Sequence, residues 1–248
     1  MKNIRLEGGS AGIQCSTCPN IKASYIEARN MRGPYPRGQC VQFGLSDNAR
    51  LTDFYCMNDE TSWSEDNISM WRSSNAYVAR GVIDGNYSVN GVGVMFEGSA
   101  ADIEGGLCEQ VDALNQSNTC FSAYGGKNVV YQDVTCAHTH CAAIPGRDPK
   151  NGSRTFVAGD YLNSQYGYGS TIYATNIKVL DSFVYDVCYC VLDSTTGERA
   201  CSDGEPYRNY TSWWEQSKED PRGFTAIEFT ELETFTPRVP ITTSFCWE

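Results

Sequence analysis

The stretch Asn20-Ile-Lys-Ala23 returns in altered form as Asn48-Ala-Arg-Leu51 and as Asn75-Ala-Tyr-Val78, and this recurrence decides the fold that the sequence predicts. In each copy an Asn or Asp precedes a small aliphatic residue and a short alternating strand. Seven such cassettes begin at Asn3, Asn20, Asn48, Asn75, Asp102, Asn128 and Asn176. The four intervals from Asn20 to Asn128 are 28, 27, 27 and 26 residues long. A period in the twenties over consecutive units predicts a solenoid, in which each unit buries its apolar face against its neighbours.

The repeating unit is made of short β-rich runs separated by Gly, Asn, Ser and Pro, and no helical periodicity is evident before residue 200. Over residues 3–195 this pattern resembles the right-handed parallel β-helix proteins, the group that includes pectate lyases and related polysaccharide enzymes. The resemblance implies an all-β, right-handed parallel β-helix with coils of about 26–28 residues.

The domain organisation follows from where the repeat changes. We predict β-helix coils over residues 1–195 and an irregular, disulfide-anchored C-terminal cap over 196–248, because an open β-helix end has to be covered. The interval from Asn128 to Asn176 is 48 residues, which indicates a loop insertion at about 145–173 or one extra, poorly matched coil. The second run of each coil ends at a large apolar residue, which predicts one stacked column in the core. The members of that column are Phe43, Trp71, Phe96, Tyr124 and Ile144.

The charge of the chain limits its partners. The formal net charge is −11 and the pI is about 4.7, which disfavours a nucleic acid or an anionic membrane as partner. An acidic polymer would need a local basic patch or a bridging cation. No apolar run is long enough to insert into a membrane, and because the first cassette begins at Asn3 we expect any secretion signal to lie outside this sequence.

Twelve cysteines favour disulfides and a secreted, extracellular protein. Zinc is the alternative, although Cys15-x-x-Cys18 and the other close pairs lack the spacing of a zinc finger. Stacking of adjacent coils predicts the disulfides Cys120–Cys141 and Cys108–Cys136. Sequons for N-glycosylation occur at Asn67, Asn86, Asn115, Asn151 and Asn209 and give weak support for a glycoprotein.

A polar column is predicted ten residues after each cassette start. Its members are Asn30, Asn58, Asp112, His138 and Asp186, with Asp84 one residue short of the same place. Asp84 and Asp112 would then lie on adjacent coils, an arrangement suited to Ca²⁺ or to acid/base chemistry. A column of Asn side chains that satisfies the backbone of stacked turns is the structural alternative.

The strongest candidate site surrounds the two histidines, His138 and His140, in the segment CAHTHC. Alternation places both on one face of a strand, and the cations Arg147 and Lys150 follow at once. The predicted loop over 145–173 adds Tyr161, Tyr166 and Tyr168.

These residues lead to three functional hypotheses. The first is a lyase or epimerase acting on a uronic-acid polysaccharide, with Arg147 or Ca²⁺ at Asp84 and Asp112 neutralising the carboxylate. In that hypothesis His138 or His140 is the base, Tyr166 or Tyr168 is the acid, and Lys150 and Tyr161 bind substrate. The second is a noncatalytic structural or adhesive glycoprotein, a filament or wall subunit that associates end to end. The third is a carbohydrate-binding module with Tyr and Trp platforms.

Overall fold

A computed structural model describes residues 1–33, 37–88, 91–98, 103–139, 154–159, 172–180, 190–192, 199–201 and 224–231. These residues form an all-β parallel solenoid without helices, which confirms the predicted fold class. Within the same residues, no helix is long and apolar enough to cross a membrane.

Seventeen strands are described. They are β1 (Lys2–Glu7), β2 (Ile13–Ser16), β3 (Lys22–Arg29), β4 (Val41–Gly44), β5 (Arg50–Met57), β6 (Asp66–Trp71), β7 (Ala76–Asn86), β8 (Val92–Glu97), β9 (Ile103–Gln116), β10 (Thr119–Tyr124), β11 (Gly126–Gln132), β12 (Thr135–Ala137), β13 (Arg154–Gly159), β14 (Ile172–Leu180), β15 (Cys190–Leu192), β16 (Arg199–Cys201) and β17 (Phe224–Glu231).

The strands stack into two long parallel sheets. The long-strand sheet has the order β1-β3-β5-β7-β9-β11-β14, with β12 between β9 and β14 and with β17 beside β14. The short-strand sheet has the order β2-β4-β6-β8-β10-β13. Each of the first five coils contributes one strand to each sheet, so β1 and β2 form the first coil and β9 and β10 form the fifth. β15 and β16 make a separate antiparallel pair.

The cassette asparagines owe their regular spacing to backbone conformation. Asn20, Asn48, Asn75 and Asn128 all have φ between 54° and 62°, the left-handed region that Asn tolerates better than most residues. Asn20, Asn48 and Asn75 precede their long strands, Asn128 lies within β11, and all four lie in one column across the coils. We call this the asparagine column.

Three cassettes do not fit this column as predicted. The fifth member is Gly105, with φ 67°, and Asp102 lies outside the described residues. Gly adopts positive φ as readily as negative φ, so it takes the place of Asn without carrying the Asn/Asp signature. Asn3 and Asn176 belong to a different column, because the strand register aligns them with Tyr25 and Asp133 respectively.

This second column, which we call the bend column, runs through the middle of the long strands. Its residues all have φ between 51° and 56°, and none is glycine. They are Asn3, Tyr25, Asp53, Arg80, Gln110, Asp133 and Asn176. A single left-handed residue redirects an extended chain, so each long strand is divided into two arms that meet at a bend.

The core lies between the two sheets. Inward columns of the short-strand sheet include Ile13, Val41, Ile68, Val94 and Phe121, and next to them Cys15, Phe43, Met70, Phe96 and Ala123. The predicted aromatic column was therefore partly wrong. Phe43 and Phe96 are buried in it, but Trp71 and Tyr124 belong one position later, in an outward column with Gly44 and Glu97. Ile144 lies outside the described residues.

Two disulfides run across the core, each between residues less than one repeat apart in the chain. Cys40 bonds to Cys56 and Cys120 bonds to Cys136, each pair 16 residues apart, with Cα–Cα distances of 6.0 and 5.9 Å. Both predicted pairs, Cys120–Cys141 and Cys108–Cys136, are wrong, because Cys120 and Cys136 bond to each other. The physical reason is that these cysteines face each other across the interior from opposite sheets. Disulfides are consistent with an extracellular protein.

The irregular end of the repeat contains further strands. β13 lies inside the predicted loop over 145–173 and pairs in parallel with β10, while β14 pairs directly with β11. β13 is therefore the short strand of the coil that β11 begins, and the described strands leave no place for an extra coil between β11 and β14. β17 lies inside the predicted cap and continues the long-strand sheet.

Two predicted glycosylation sites are buried. The side chains of Asn67 and Asn86 have no exposed surface, and the Asn67 amide bonds to Gln116 Oε1 and to the Gly85 carbonyl, both at 3.0 Å. A glycan cannot be accommodated there, so these predictions are wrong. Asn115 is half-buried and donates from Nδ2 to Asp84 Oδ1 at 2.7 Å, while Asn151 and Asn209 lie outside the described residues.

Candidate binding face

Most of the predicted catalytic cluster lies outside the described residues. This applies to His140, Arg147, Lys150, Tyr161, Tyr166, Tyr168 and Asp186. His138 is described: it is exposed, follows β12 and has φ 53°.

Asp84 and Asp112 are not neighbours in one column. The register aligns Asp84 with Leu114 and aligns Asp112 with Val82, so the predicted stacking of the two acids in one column is wrong, although they lie on adjacent coils. The error has the same cause as the wrong cassette start at Asp102: the coil of β9 is aligned by Gly105, three residues later, so every position counted from Asp102 is three residues too early. Asn115, and not Asp112, aligns with His138.

The surroundings of these acids give no sign of a metal site. Asp84 accepts the hydrogen bond from Asn115, and Asp112 is 1% exposed. In the part of the chain that the structure describes, no three His, Cys, Asp or Glu side chains come close enough together to hold a metal ion.

The candidate binding surface of the described residues is the outward side of the long-strand sheet, which we call the outer face. Its residues alternate with buried ones such as Ala23, Leu51 and Val78. Before the bend the outward columns are Lys22, Arg50, Tyr77, Leu107 and Val130, and Lys2, Ser24, Thr52, Ala79, Glu109 and Gln132. Beyond the bend the same side carries Arg5, Glu27, Tyr55, Val82, Asp112 and Thr135, and Glu7, Arg29, Met57, Asp84, Leu114 and Ala137. The later members of both columns are buried, except Asp84, and Val82, Leu114 and Ala137 form a second apolar cluster with Tyr55 packed against it.

Positive charge is concentrated on the first coils of this face. Lys22 and Arg50 are exposed and lie directly opposite each other on β3 and β5. Like charges in that relation destabilise a sheet unless an anion lies between them. No acidic group of the described residues is within 4.0 Å of Lys2, Lys22 or Arg50. These three cations are therefore available to an external anion.

Tyrosines hold several of the cations in place. Lys2 lies over the ring of Tyr25 at 4.9 Å, and Arg50 lies over the ring of Tyr77 at 5.2 Å. Arg29 stacks in the same way on Tyr55 at 5.1 Å. In each case a cation packs on a tyrosine of the next coil. Cation–π contacts limit side-chain freedom, so less entropy is lost when an anion binds.

Other cations of the outer face are already neutralised. Arg80 forms a two-pronged ion pair with Asp53, with both N–O distances 2.8 Å, and this bonding lowers the pKa of the Asp53 carboxyl. Arg29 pairs with Glu27, which also lies 3.6 Å from Arg5. The Arg80–Asp53 pair joins two neighbouring residues of the bend column and leaves Arg80 partly exposed.

Beyond β7 the outer face becomes acidic. β9 and β11 with the residue after it present Glu104, Glu109 and Asp133. The hydroxyl of Tyr77 donates to Glu109, and Gln132 Nε2 donates to the same carboxylate at 2.6 Å. The outer face thus changes from basic to acidic along the solenoid axis.

Sequence reasoning missed this face although a signal was present. Lys22, Arg50 and Tyr77 occupy the third position of successive cassettes, so the repeat that predicts the fold also aligns them. Recognising them as one column requires only the period.

Comparison with known proteins gives no family: no family model, no curated protein and no solved structure matches this chain.

Proposed function

We propose that this protein binds an acidic, uronate-containing polysaccharide along the outer face of its first four coils. The observation that carries the proposal is the opposed pair Lys22 and Arg50, exposed and without an acidic partner among the described residues. A chain with net charge −11 needs such a local basic patch to attract a polyanion.

The periodicity of the face suits a polymer. Equivalent residues of successive coils are about 4.8 Å apart, so the solenoid offers cations at a regular interval. A polymer that carries one carboxylate per sugar would meet Lys22 and Arg50 in turn. The tyrosines beside them add apolar ring surface.

A lyase or epimerase would also need a base. Burial raises the pKa of the Tyr55 phenol, and burial together with the hydrogen bond to Glu109 raises that of Tyr77. Both therefore stay protonated and can donate a proton rather than remove one. The basic coils thus support binding, and a catalytic step rests on His138 and on the proposed residues outside the described part of the chain.

The test is a binding measurement with the intact protein and a panel of uronate polymers, with a neutral glucan for comparison. The double variant Lys22→Gln/Arg50→Gln is expected to bind at least about tenfold more weakly, because two charge contacts are lost. Arg37→Gln/Arg72→Gln is the matched control, since it removes the same charge away from the outer face and should change affinity less than about threefold.

Two outcomes would contradict the proposal: equal losses in both double variants, or equal binding of the neutral glucan. If no acidic polymer bound at all, the structural or adhesive hypothesis would be preferred. Following the absorbance of the unsaturated product in the same mixtures identifies a lyase.

A further inference from the structure

The three disulfides of the described residues fall into two kinds. Cys40–Cys56 and Cys120–Cys136 each close a long segment, and all four of these cysteines are buried, with exposure of 1% or less. Cys15 and Cys18 are separated by only 3 residues, and both are partly exposed. A short closed loop restricts the unfolded chain least, so the Cys15–Cys18 bond has the weakest structural reason to exist.

The position of this disulfide makes it accessible. Cys15 ends the inward column of the first coil, where only the second coil covers it, and it packs partly against the core. Cys18 lies after β2 in the turn that leads to Asn20. Exposed disulfides are the ones that exchange with other thiols, whereas buried ones resist attack.

The backbone around Cys18 is held without the disulfide. Thr17 N–H donates to the Gly44 carbonyl at 2.8 Å, Cys18 N–H donates to Ser46 Oγ at 2.9 Å, and Asn20 N–H donates to the Asp47 carbonyl at 2.8 Å. All three acceptors belong to the second coil. Opening the disulfide would therefore leave the two sulfurs close together and ready to bond again.

We propose that Cys15–Cys18 is a thiol–disulfide exchange site that reacts with a soluble thiol, small or protein-borne, while the solenoid stays folded. A thiolate attacks Sγ of Cys18, a mixed disulfide forms, and Cys15 leaves as a thiolate that takes up a proton. A second thiolate attacks the mixed disulfide at the sulfur of the first. The external disulfide is released, and Cys18 leaves as the second thiol. Two external thiols are oxidised and one protein disulfide is reduced.

The experiment uses the native protein and reduced glutathione as the probe. Free thiols are trapped with iodoacetamide at successive times, and tryptic peptides are quantified by mass spectrometry. Residues 6–22 carry Cys15 and Cys18 together, and residues 38–50 carry Cys40 as the internal control. We expect labelling of 6–22 to be at least about tenfold faster than that of 38–50, without loss of the β-sheet circular dichroism signal.

Equal labelling rates, or labelling of 6–22 only in denaturant, would overturn the proposal. So would loss of the β-sheet signal as 6–22 becomes labelled. The variant Cys15→Ser/Cys18→Ser should unfold cooperatively and lack the fast phase, which assigns that phase to this pair. A fast phase that persisted in the total thiol labelling of the variant would count against it. After removal of the thiol, oxidised glutathione should restore the disulfide in the wild-type protein.

Discussion

Single residues set the path of this chain by adopting the left-handed backbone region. The asparagine column uses Asn20, Asn48, Asn75 and Asn128, and Asn48 Nδ2 also donates to Asn20 Oδ1 at 3.2 Å. Other residues with a Cβ pay about 1–2 kcal/mol for this conformation. The Asn recurs in the sequence because each coil needs a residue with positive φ at this place.

Replacing Asn48 by Ala and by Gly distinguishes two contributions to stability: the positive φ of the backbone and the side-chain hydrogen bond to Asn20. Asn48→Ala is expected to lower the free energy of unfolding by about 1–2 kcal/mol, since Ala disfavours positive φ and cannot bond to Asn20. Asn48→Gly loses the same hydrogen bond but fits the backbone, so its cost should stay under about 1 kcal/mol. Urea unfolding of both variants measures the difference. Equal costs would mean that the side-chain bond, and not the backbone, selects Asn here.

Glu97 is a second residue whose environment has a measurable consequence. It lies between Trp71 and Tyr124 in an outward column of the short-strand sheet. Burial, followed by the negative charge of Glu65, raises the pKa of Glu97 to about 7 from an ordinary 4.5. The folded protein then binds more protons than the unfolded chain between these two values, so stability falls as pH rises from about 4.5 to 7.

The variant Glu97→Gln removes this proton uptake. Its free energy of unfolding should match that of the wild type near pH 4 and exceed it at pH 8 by about 2 kcal/mol, after allowance for the partly exposed carboxyl. Urea unfolding at both pH values measures this, with the exposed Glu104→Gln as control. A difference that did not depend on pH would refute the raised pKa. Burial also raises the pKa of Asp66, so part of the wild-type slope remains in the variant.

At the scale of strands, the two buried disulfides tie the sheets together at equivalent positions. The register aligns Cys40 with Asn67, Gly93 and Cys120, and aligns Cys56 with Ile83, Ala113 and Cys136. One disulfide thus joins the second coil to the third, and the other joins the fifth coil to β12. In the third coil, Asn67 makes hydrogen bonds to Asn58 and Gln116 at the equivalent place.

Removing one of these links should be costly. Cys120→Ala/Cys136→Ala is expected to lower the free energy of unfolding by about 3 kcal/mol, the value for a loop of this length. The Cys15–Cys18 disulfide closes a much shorter loop, so Cys15→Ala/Cys18→Ala should lower the free energy of unfolding by about 2 kcal/mol or less. Denaturant unfolding of the two double variants gives the comparison. A larger loss for the Cys15 pair would contradict the assignment of structural and exchangeable bonds.

The strands also show what the sequence could predict. Asn has a strong backbone preference, so its column and the parallel solenoid were predictable from the spacing alone. The bend column was not, because Tyr25, Arg80 and Gln110 carry no preference for positive φ. Predicting the disulfide pairs requires knowing which residues of the two sheets face each other. The equal separation of 16 residues within each buried pair was nevertheless a usable signal.

The candidate site was predictable only in part for a similar reason. Column assignments from counting fail wherever a coil gains residues, as at Gly105, where the intervals in the asparagine column become 30 and 23 residues. Because of this offset, counting placed Asp112 beside Asp84, whereas the strand register aligns Asp112 with Val82. The pairing of Lys22 with Arg50 escapes it because both precede the irregular coil.

At the scale of the whole molecule, the outer face carries a change of sign along the solenoid axis. Lys2, Lys22, Arg50 and Arg80 lie on the first four coils, and Glu104, Glu109 and Asp133 follow on the next two. A polyanion is attracted by the first region and repelled by the second. The proposed binding function therefore has a limited length.

That limit can be measured with uronate oligomers of increasing length. Four coils span about 14 Å, so affinity should rise until an oligomer covers this distance and then level off, since longer chains meet the acidic coils. The double variant Glu104→Gln/Asp133→Asn should shift the plateau to longer oligomers. Added salt should weaken binding of every oligomer through screening of the exposed charges. Affinity that rose without a plateau in the wild type, or a plateau unchanged in the variant, would mean that the polymer does not follow the outer face along the axis.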